Sequence, residues 1–312
     1  MLAQLVAGTW AVPYGAGQVL YKATLLSLTG AAVDLALGAG CFNIGAEGQL
    51  AVGGLALAVA GAALPAGTPR WIGLPAVLLV APAAGAIWAL APAILRARFG
   101  AHEVISTIMM NRIADALCGF ALARGLAVSG TARTADVVPA ARVPRLDAVG
   151  LTSFHGSAVS LAMPIALAVV ALASFWRART RVGRETMLVG MGPAACAAEG
   201  IPVARRLAGA LVLSGAIAGL ASVAPVLGYK GYYEAGLGAG AGFGGIAVAL
   251  LGRGSPVGLA LAALLVGTLE QGGLVVNARV PMELTTILQG VVIVAVALTD
   301  VRVRAAATRS GA

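Results

Sequence analysis

The chain has 312 residues, of which 60% are hydrophobic and 11% are charged, and its formal net charge is +9. A soluble domain carries about 25% charged residues and cannot hide so much apolar surface. The composition therefore excludes an ordinary soluble domain and predicts an all-α, polytopic transmembrane bundle. The 43 glycines suit such a bundle, because small residues let membrane helices approach closely.

Charge-free stretches predict the helices, since a helix crosses the hydrocarbon core in about 20 residues. We expect about 8–10 helices on this criterion. The candidate crossings are 18–40, 48–69, 71–95, 104–123, 157–176, 207–229, 235–251, 254–269 and 284–299. Residues 229–252 are so rich in glycine that we expect a re-entrant or broken segment there. Residues 1–17 lack the basic region of a signal peptide.

Arginine clusters orient these helices, because the cytoplasmic loops of membrane proteins collect basic residues. The clusters lie at 96–102, 177–206 and 302–309. Placing all three in the cytoplasm leaves the 129–156 and 277–283 loops outside and gives a cytoplasmic tail at 301–312. Residues 1–17 then form an extracytoplasmic or truncated segment before a transmembrane domain at 18–300. Topology thus accounts for the basic charge without a nucleic-acid partner.

The segment 42–50, Phe-Asn-Ile-Gly-Ala-Glu-Gly-Gln-Leu, places polar residues between two apolar helices. If the segment lies at membrane depth, its backbone must line protein or water. An acidic residue there is costly, so Glu47 becomes a functional candidate, together with Asn43 and Gln49. The alternative is a tight turn at the membrane surface with a solvated Glu47.

The segment 102–111 has a polar start and then an apolar run, which predicts a helix that begins at the cytoplasmic surface. Asn111 lies deeper and is placed to bond across helices. Arg112 and Asp115 follow at i, i+3 spacing. We interpret them as helix packing with an internal ion pair, and keep a functional role for Asn111 as the alternative.

The arginine-rich connection 177–206 contains a proline followed by alanines and then a glycine, which predicts a short helix over 193–200. An alanine-faced helix at the membrane surface would fit a groove on a soluble partner. An interfacial helix without a partner is the alternative. Further along, GxxxG spacings favour close helix packing. The packing candidates are Gly215, Gly219, Gly236, Gly240 and Gly244.

Several chemistries leave no signature. Cys41, Cys118, Cys196, His102 and His155 show no spacing for a metal site or a disulfide framework. No G-x-x-x-x-G-K-[ST], H-E-x-x-H or G-x-S-x-G occurs. We therefore expect no catalytic residues, no metal, no cofactor and no ATP site in this chain.

Four segments resemble, in order, the permease subunits of bacterial ABC importers, in the branch for nucleosides and simple sugars. They are 42–50, 102–111, 190–201 and 242–252, within a similarity that extends over about 15–300. The resemblance implies a second permease subunit, a cytoplasmic ATPase that binds the ATP, and an extracytoplasmic solute-binding protein. It also implies a passage for the solute, for which Asn43, Glu47, Gln49 and Asn111 are candidates.

The resemblance makes the short helix the element that couples the permease to the ATPase. Its residues are Pro193, Ala194, Ala195, Cys196, Ala197, Ala198, Glu199 and Gly200. The sequence departs from the family pattern at Gly192, Ala197, Arg112 and Ser222. Three alternatives stay open: a branched-chain amino acid permease, a stand-alone carrier or channel, and a non-transporting scaffold subunit.

Overall fold

A computed structural model of the chain describes residues 2–65 and 67–277 and the single positions 287, 290 and 291. In this part of the chain the fold is an all-α bundle, as predicted. Its helices are α1 (Leu2–Thr9), α2 (Pro13–Gly38), α3 (Ala46–Ala62), α4 (Arg70–Phe99), α5 (Glu103–Ala121), α6 (Ala162–Arg179), α7 (Arg181–Met191), α8 (Pro193–Ala198), α9 (Val203–Leu220), α10 (Ala241–Gly252) and α11 (Pro256–Val276). The predicted crossing at 284–299 and the tail at 301–312 lie outside the described residues.

Six of the described helices are long and apolar enough to cross a membrane: α2, α4, α5, α6, α9 and α11. Two of them extend as π-helical turns, α5 through Leu126 and α9 through Lys230. The other two apolar helices, α3 and α10, have 17 and 12 residues. They rise about 25 and about 18 Å, less than the hydrocarbon thickness of about 30 Å. The chain is therefore broken before α10, as the glycine content predicted, and also before α3, which the sequence indicated as a full crossing.

Helix α2 is the centre of the bundle and packs against α6, α9, α10 and α11. It is apolar on all sides, and such a helix is stable when it is surrounded by other helices. Its two charged side chains are both paired. Lys22 Nζ lies 3.5 Å from Glu270 Oε2 on α11, and Asp34 Oδ2 lies 2.6 Å from Arg177 Nη1 on α6.

Helices α4 and α9 pack closely because both present glycine at the contact. A methyl group added at Gly219 would lie 3.0 Å from the Cα of Gly85, and one at Gly215 would collide with Ala89 and Gly85. Gly244 of α10 faces the Leu26 side chain in the same way.

Gly236 and Gly240 do not lie on a packed helix face, although their GxxxG spacing predicted one. They precede α10, with φ of +81° and +87°, and a methyl group at either would meet no other atom within 4 Å. Their spacing thus reflects left-handed turns, which favour glycine, and not a helix face.

The helices run between two chemically distinct ends. The basic end carries Arg96, Arg98 and the 177–206 connection, where α4 and α6 end. The opposite end, which we call the loop end, is covered by residues 127–161. This cover bonds to the segment after α9: Val137 N–H donates to the carbonyl of Gly231 at 2.7 Å. The N-terminal α1 packs against α11 and is followed by α2, which begins five residues before the predicted start at 18.

Candidate functional site

The two short helices meet at their N-termini, and a carboxylate joins them. Glu47 lies in the first turn of α3, and its side chain reaches the start of α10. Oε1 accepts a hydrogen bond from Gly240 N–H at 2.6 Å, and Oε2 accepts one from Gly242 N–H at 2.7 Å. The first N–H groups of a helix have no partner within the helix and form its positive dipole end. Glu47 therefore caps α10 while it starts α3.

Close approach of the backbone makes this junction possible. A methyl group at Gly242 would lie 2.7 Å from both the Cα and the Oε2 of Glu47. The first turn of α10 is also held to α2, because the Thr29 hydroxyl donates to the carbonyl of Ala241 at 2.8 Å. From the junction α3 runs to the loop end and α10 runs to the basic end.

The turn before α3 is fixed by a buried amide network. Asn43 Oδ1 accepts from Gly45 N–H at 2.9 Å, and Asn43 Nδ2 donates to Gln49 Oε1 at 2.9 Å and to Ser214 Oγ at 2.8 Å. The Ser214 hydroxyl donates in turn to the carbonyl of Ala32 at 2.6 Å. Asn43 and Gln49 are 0% and 1% exposed. Their polar atoms thus join α2, α3 and α9.

Asn111 attaches α5 to the same turn. Its Oδ1 accepts from Gly48 N–H and its Nδ2 donates to the carbonyl of Ile44, both at 2.9 Å. Of the four predicted site residues, Asn43, Gln49 and Asn111 are buried and bonded within the protein, whereas Glu47 is partly exposed. Sequence reasoning missed Ser214 and Thr29, which lie in apolar helices with no local signal beyond a single hydroxyl.

Arg112 and Asp115 do form an ion pair, with Arg112 Nη1 at 3.9 Å from Asp115 Oδ2. The pair is not internal, however, because both side chains are exposed. The buried face of α5 lies on the other side of the helix. It consists of Glu103, Thr107, Asn111, Ala114 and Cys118.

The second feature is a platform at the basic end made of α7 and α8. Glu185 of α7 is held by Arg206 of α9, whose Nη2 lies 2.5 Å from Oε2, and by Arg181, whose Nε lies 2.7 Å from Oε1. Hydrogen bonds from Arg181 and Arg206 lower the pKa of Glu185. Beyond α7, the short helix α8 forms where the sequence predicts one, over Pro193–Ala198. Its side chains are exposed apart from Cys196.

Six long apolar helices, with two short helices that meet at a carboxylate between them, are those of a polytopic membrane protein. Residues 15–297 match the family described as the permease component of the branched-chain amino acid transport system. The chain therefore belongs to this family, and it is a membrane-spanning subunit of an ABC transporter. Subunits of this class generally are not enzymes and work with an ATPase and a binding protein.

Three curated proteins illustrate the similarity. A guanosine ABC transporter permease of Bacillus subtilis is 37% identical, over 91% of this chain and 81% of its own length. A glucose ABC transporter permease of Haloferax volcanii is 36% identical, over 90% of this chain and 75% of its own length. A nucleoside ABC transporter permease of Lactococcus lactis is 30% identical, over 90% of this chain and 79% of its own length. No solved structure matches the chain significantly.

Proposed function

We propose that this chain is the membrane-spanning subunit of an importer that carries a nucleoside or a simple sugar across the cytoplasmic membrane. The observation that carries the proposal is its similarity to the guanosine, glucose and nucleoside permeases over at least 90% of the chain. The family description also covers branched-chain amino acids, so that substrate class is the alternative to test.

The proposed pathway passes the junction of α3 and α10. Nucleosides and sugars present hydroxyl groups, which need hydrogen-bonding partners when they leave water. Glu47 is partly exposed, and a carboxylate has about four lone-pair positions, of which the two amide bonds use half. In this proposal Glu47 contacts the solute, while Asn43, Gln49 and Asn111 hold the backbone that lines the passage.

The proposed partners follow from the two ends. The basic end faces the cytoplasm, consistent with the positive-inside bias. There α8, with Glu199 and Gly200 after it, docks on the ATPase, which binds the ATP; the permease itself needs no cofactor. A second permease subunit, identical or related, completes the passage. An extracytoplasmic solute-binding protein delivers the solute at the loop end.

Uptake by whole cells tests the proposal. A strain that lacks this gene and the same strain complemented with it are given labelled guanosine, glucose and leucine. We expect complementation to restore uptake of guanosine or glucose but not of leucine, and vanadate to block it. Restored leucine uptake alone would support the amino acid alternative, and vanadate-resistant uptake would support a stand-alone carrier. No restored uptake of any of the three would contradict the proposal.

A further inference from the structure

Helix α5 has one face that points away from the other residues the structure describes, and this face carries charge. The side chains of Arg112 and Asp115 are 82% and 57% exposed. Other exposed residues of the helix are apolar, as expected next to lipid or protein. They include Ile105, Met109, Ile113, Leu117 and Phe120.

The two charges lie near the middle of the helix. Counted from Glu103, Arg112 and Asp115 lie about 14 and about 18 Å along an axis of about 36 Å, at 1.5 Å per residue. The hydrogen bond between Asn111 and the start of α3 places them level with Glu47. Neither charge is therefore at a membrane surface.

Charged residues at this depth face a protein interior or a water-filled cavity. The long Arg112 side chain can extend along the helix to reach water, but the short Asp115 side chain cannot. An ion pair at 3.9 Å does not remove the cost of taking both groups out of water. The exposed face therefore needs water or a polar partner beside it.

This face of α5 lies next to one acidic residue, Glu47, and next to one open cleft. The Asp115 carboxylate is close enough to Glu47 for their charges to interact. One helical turn beyond Asp115, Gly119 lines a cleft of about 490 Å³ at the loop end, which Ala235 and Gly125 also border. This face of α5 thus leads from the open cleft to Asp115, whose charge acts on Glu47 at the junction of α3 and α10.

We propose that Arg112 and Asp115 line the solute passage together with Glu47 and help to select the solute. This inference rests on the proposed function, and it assigns the passage to the face of α5 that a second permease subunit closes. Arg112 supplies only donors and Asp115 only acceptors, a combination that suits vicinal hydroxyl groups or the edge of a nucleobase.

Thiol accessibility tests the placement without any knowledge of the solute. Arg112→Cys, Asp115→Cys and the control Ile113→Cys are made in the full transporter and treated with membrane-impermeant, charged methanethiosulfonates. The control residue, Ile113, is 49% exposed and lies at the same depth as Arg112, about 100° further around the helix. The native cysteines are all buried, which keeps the background low.

We expect the thiols at 112 and 115 to react about tenfold faster than the thiol at 113, because a thiol against an apolar phase ionises less. Equal rates at all three positions, or no reaction at 112 and 115, would overturn the proposal. Only variants that co-purify with the ATPase are compared, so a folding defect is not scored as inaccessibility.

A second measurement addresses selection. Asp115→Asn keeps the side-chain shape, and Arg112→Gln keeps a hydrogen-bond donor on a shorter, uncharged side chain. Each should lower uptake per ATP hydrolysed about tenfold, the value of one good hydrogen bond to the solute. Ile113→Leu should leave this ratio unchanged. Wild-type transport per ATP in both charge variants would remove the selective role. If the unaltered transporter carries neither guanosine nor glucose, the proposed function fails, and the accessibility pattern still decides where water lies.

Discussion

Asn43 joins three helices in a place that water does not reach. Replacement by Leu, which has a similar shape, removes the acceptor of Gly45 N–H and the partner of the Gln49 amide. Each buried polar group without a partner costs about 1–3 kcal/mol, so Asn43→Leu should lower the free energy of unfolding by at least about 2 kcal/mol. Denaturant titration in detergent measures this, with the exposed Ser153→Ala as the control. An unchanged midpoint would show that the network is not needed for stability.

Glu47 gives a different prediction, because its role in the structure is to cap a helix. In Glu47→Gln the amide group would point a donor at the N–H of Gly240 or Gly242. The loss of such a cap costs about 0.5–2 kcal/mol, so the first turn of α10 should open more readily. Hydrogen exchange of the 241–245 amides should become faster, whereas Glu199→Gln, an exposed residue, should leave it unchanged. Equal exchange in both variants would contradict the capping role.

At the scale of single elements, α8 carries the coupling hypothesis. Ala195 is exposed on α8 and would be covered by the ATPase in the proposed complex. Ala195→Asp would bury an unpaired charge there, which is strongly unfavourable. We expect uptake to fall to background while ATP hydrolysis continues. Ser153→Asp, at the loop end, is the control, and normal uptake by Ala195→Asp would remove the coupling assignment.

The attachment of α7 to α9 should depend on pH. Arg181 and Arg206 lower the pKa of Glu185 in the folded protein. The resulting stabilisation is fully present above the ordinary pKa of a glutamate, and it is lost as the pH falls through the lowered pKa. Thermal unfolding of wild type and Glu185→Gln should therefore differ at neutral pH and converge in acid. A difference that persists at the lowest pH would contradict this assignment.

The elements differ in how far the sequence alone predicts them. Apolar length and arginine position were enough for the long helices, and a proline followed by alanines and a glycine was enough for the short α8, since each of these signals is local. The bounds of α3 could not be predicted in this way, because residues 48–69 are uniformly free of charge and give no sign of where the helix ends. The GxxxG spacing at Gly236 and Gly240 also gave a wrong prediction of helix packing, since glycine equally suits the left-handed turns found there.

The candidate site was predicted only in part, for a related reason. The spacing within 42–50 identified Asn43, Glu47 and Gln49, but their partners lie far along the chain, as Gly240 does for Glu47. The position of Arg112 and Asp115 was interpreted as internal, because a helix that is apolar on most sides does not reveal which side faces the protein.

For the whole molecule, the two ends make a prediction about orientation. If the basic end is cytoplasmic, Ser153→Cys at the loop end should react with an impermeant maleimide in intact cells. Leu188→Cys on α7 should react only after the membrane is opened. Buried native cysteines provide the unlabelled control. The reverse pattern would invert the assigned orientation and with it the side on which an ATPase can dock.

The central position of α2 also has a consequence for biogenesis. α2 is synthesised early, yet its ionic partners are Arg177, which is 143 residues later than Asp34, and Glu270, which belongs to α11. Asp34 lies at the basic end, but Lys22 lies further inside and has no counter-charge until α11 is inserted, and uncompensated charges in a bilayer are costly. We therefore expect the nascent α2 to stay beside the translocon, or to be held by a membrane chaperone, until α11 has been made.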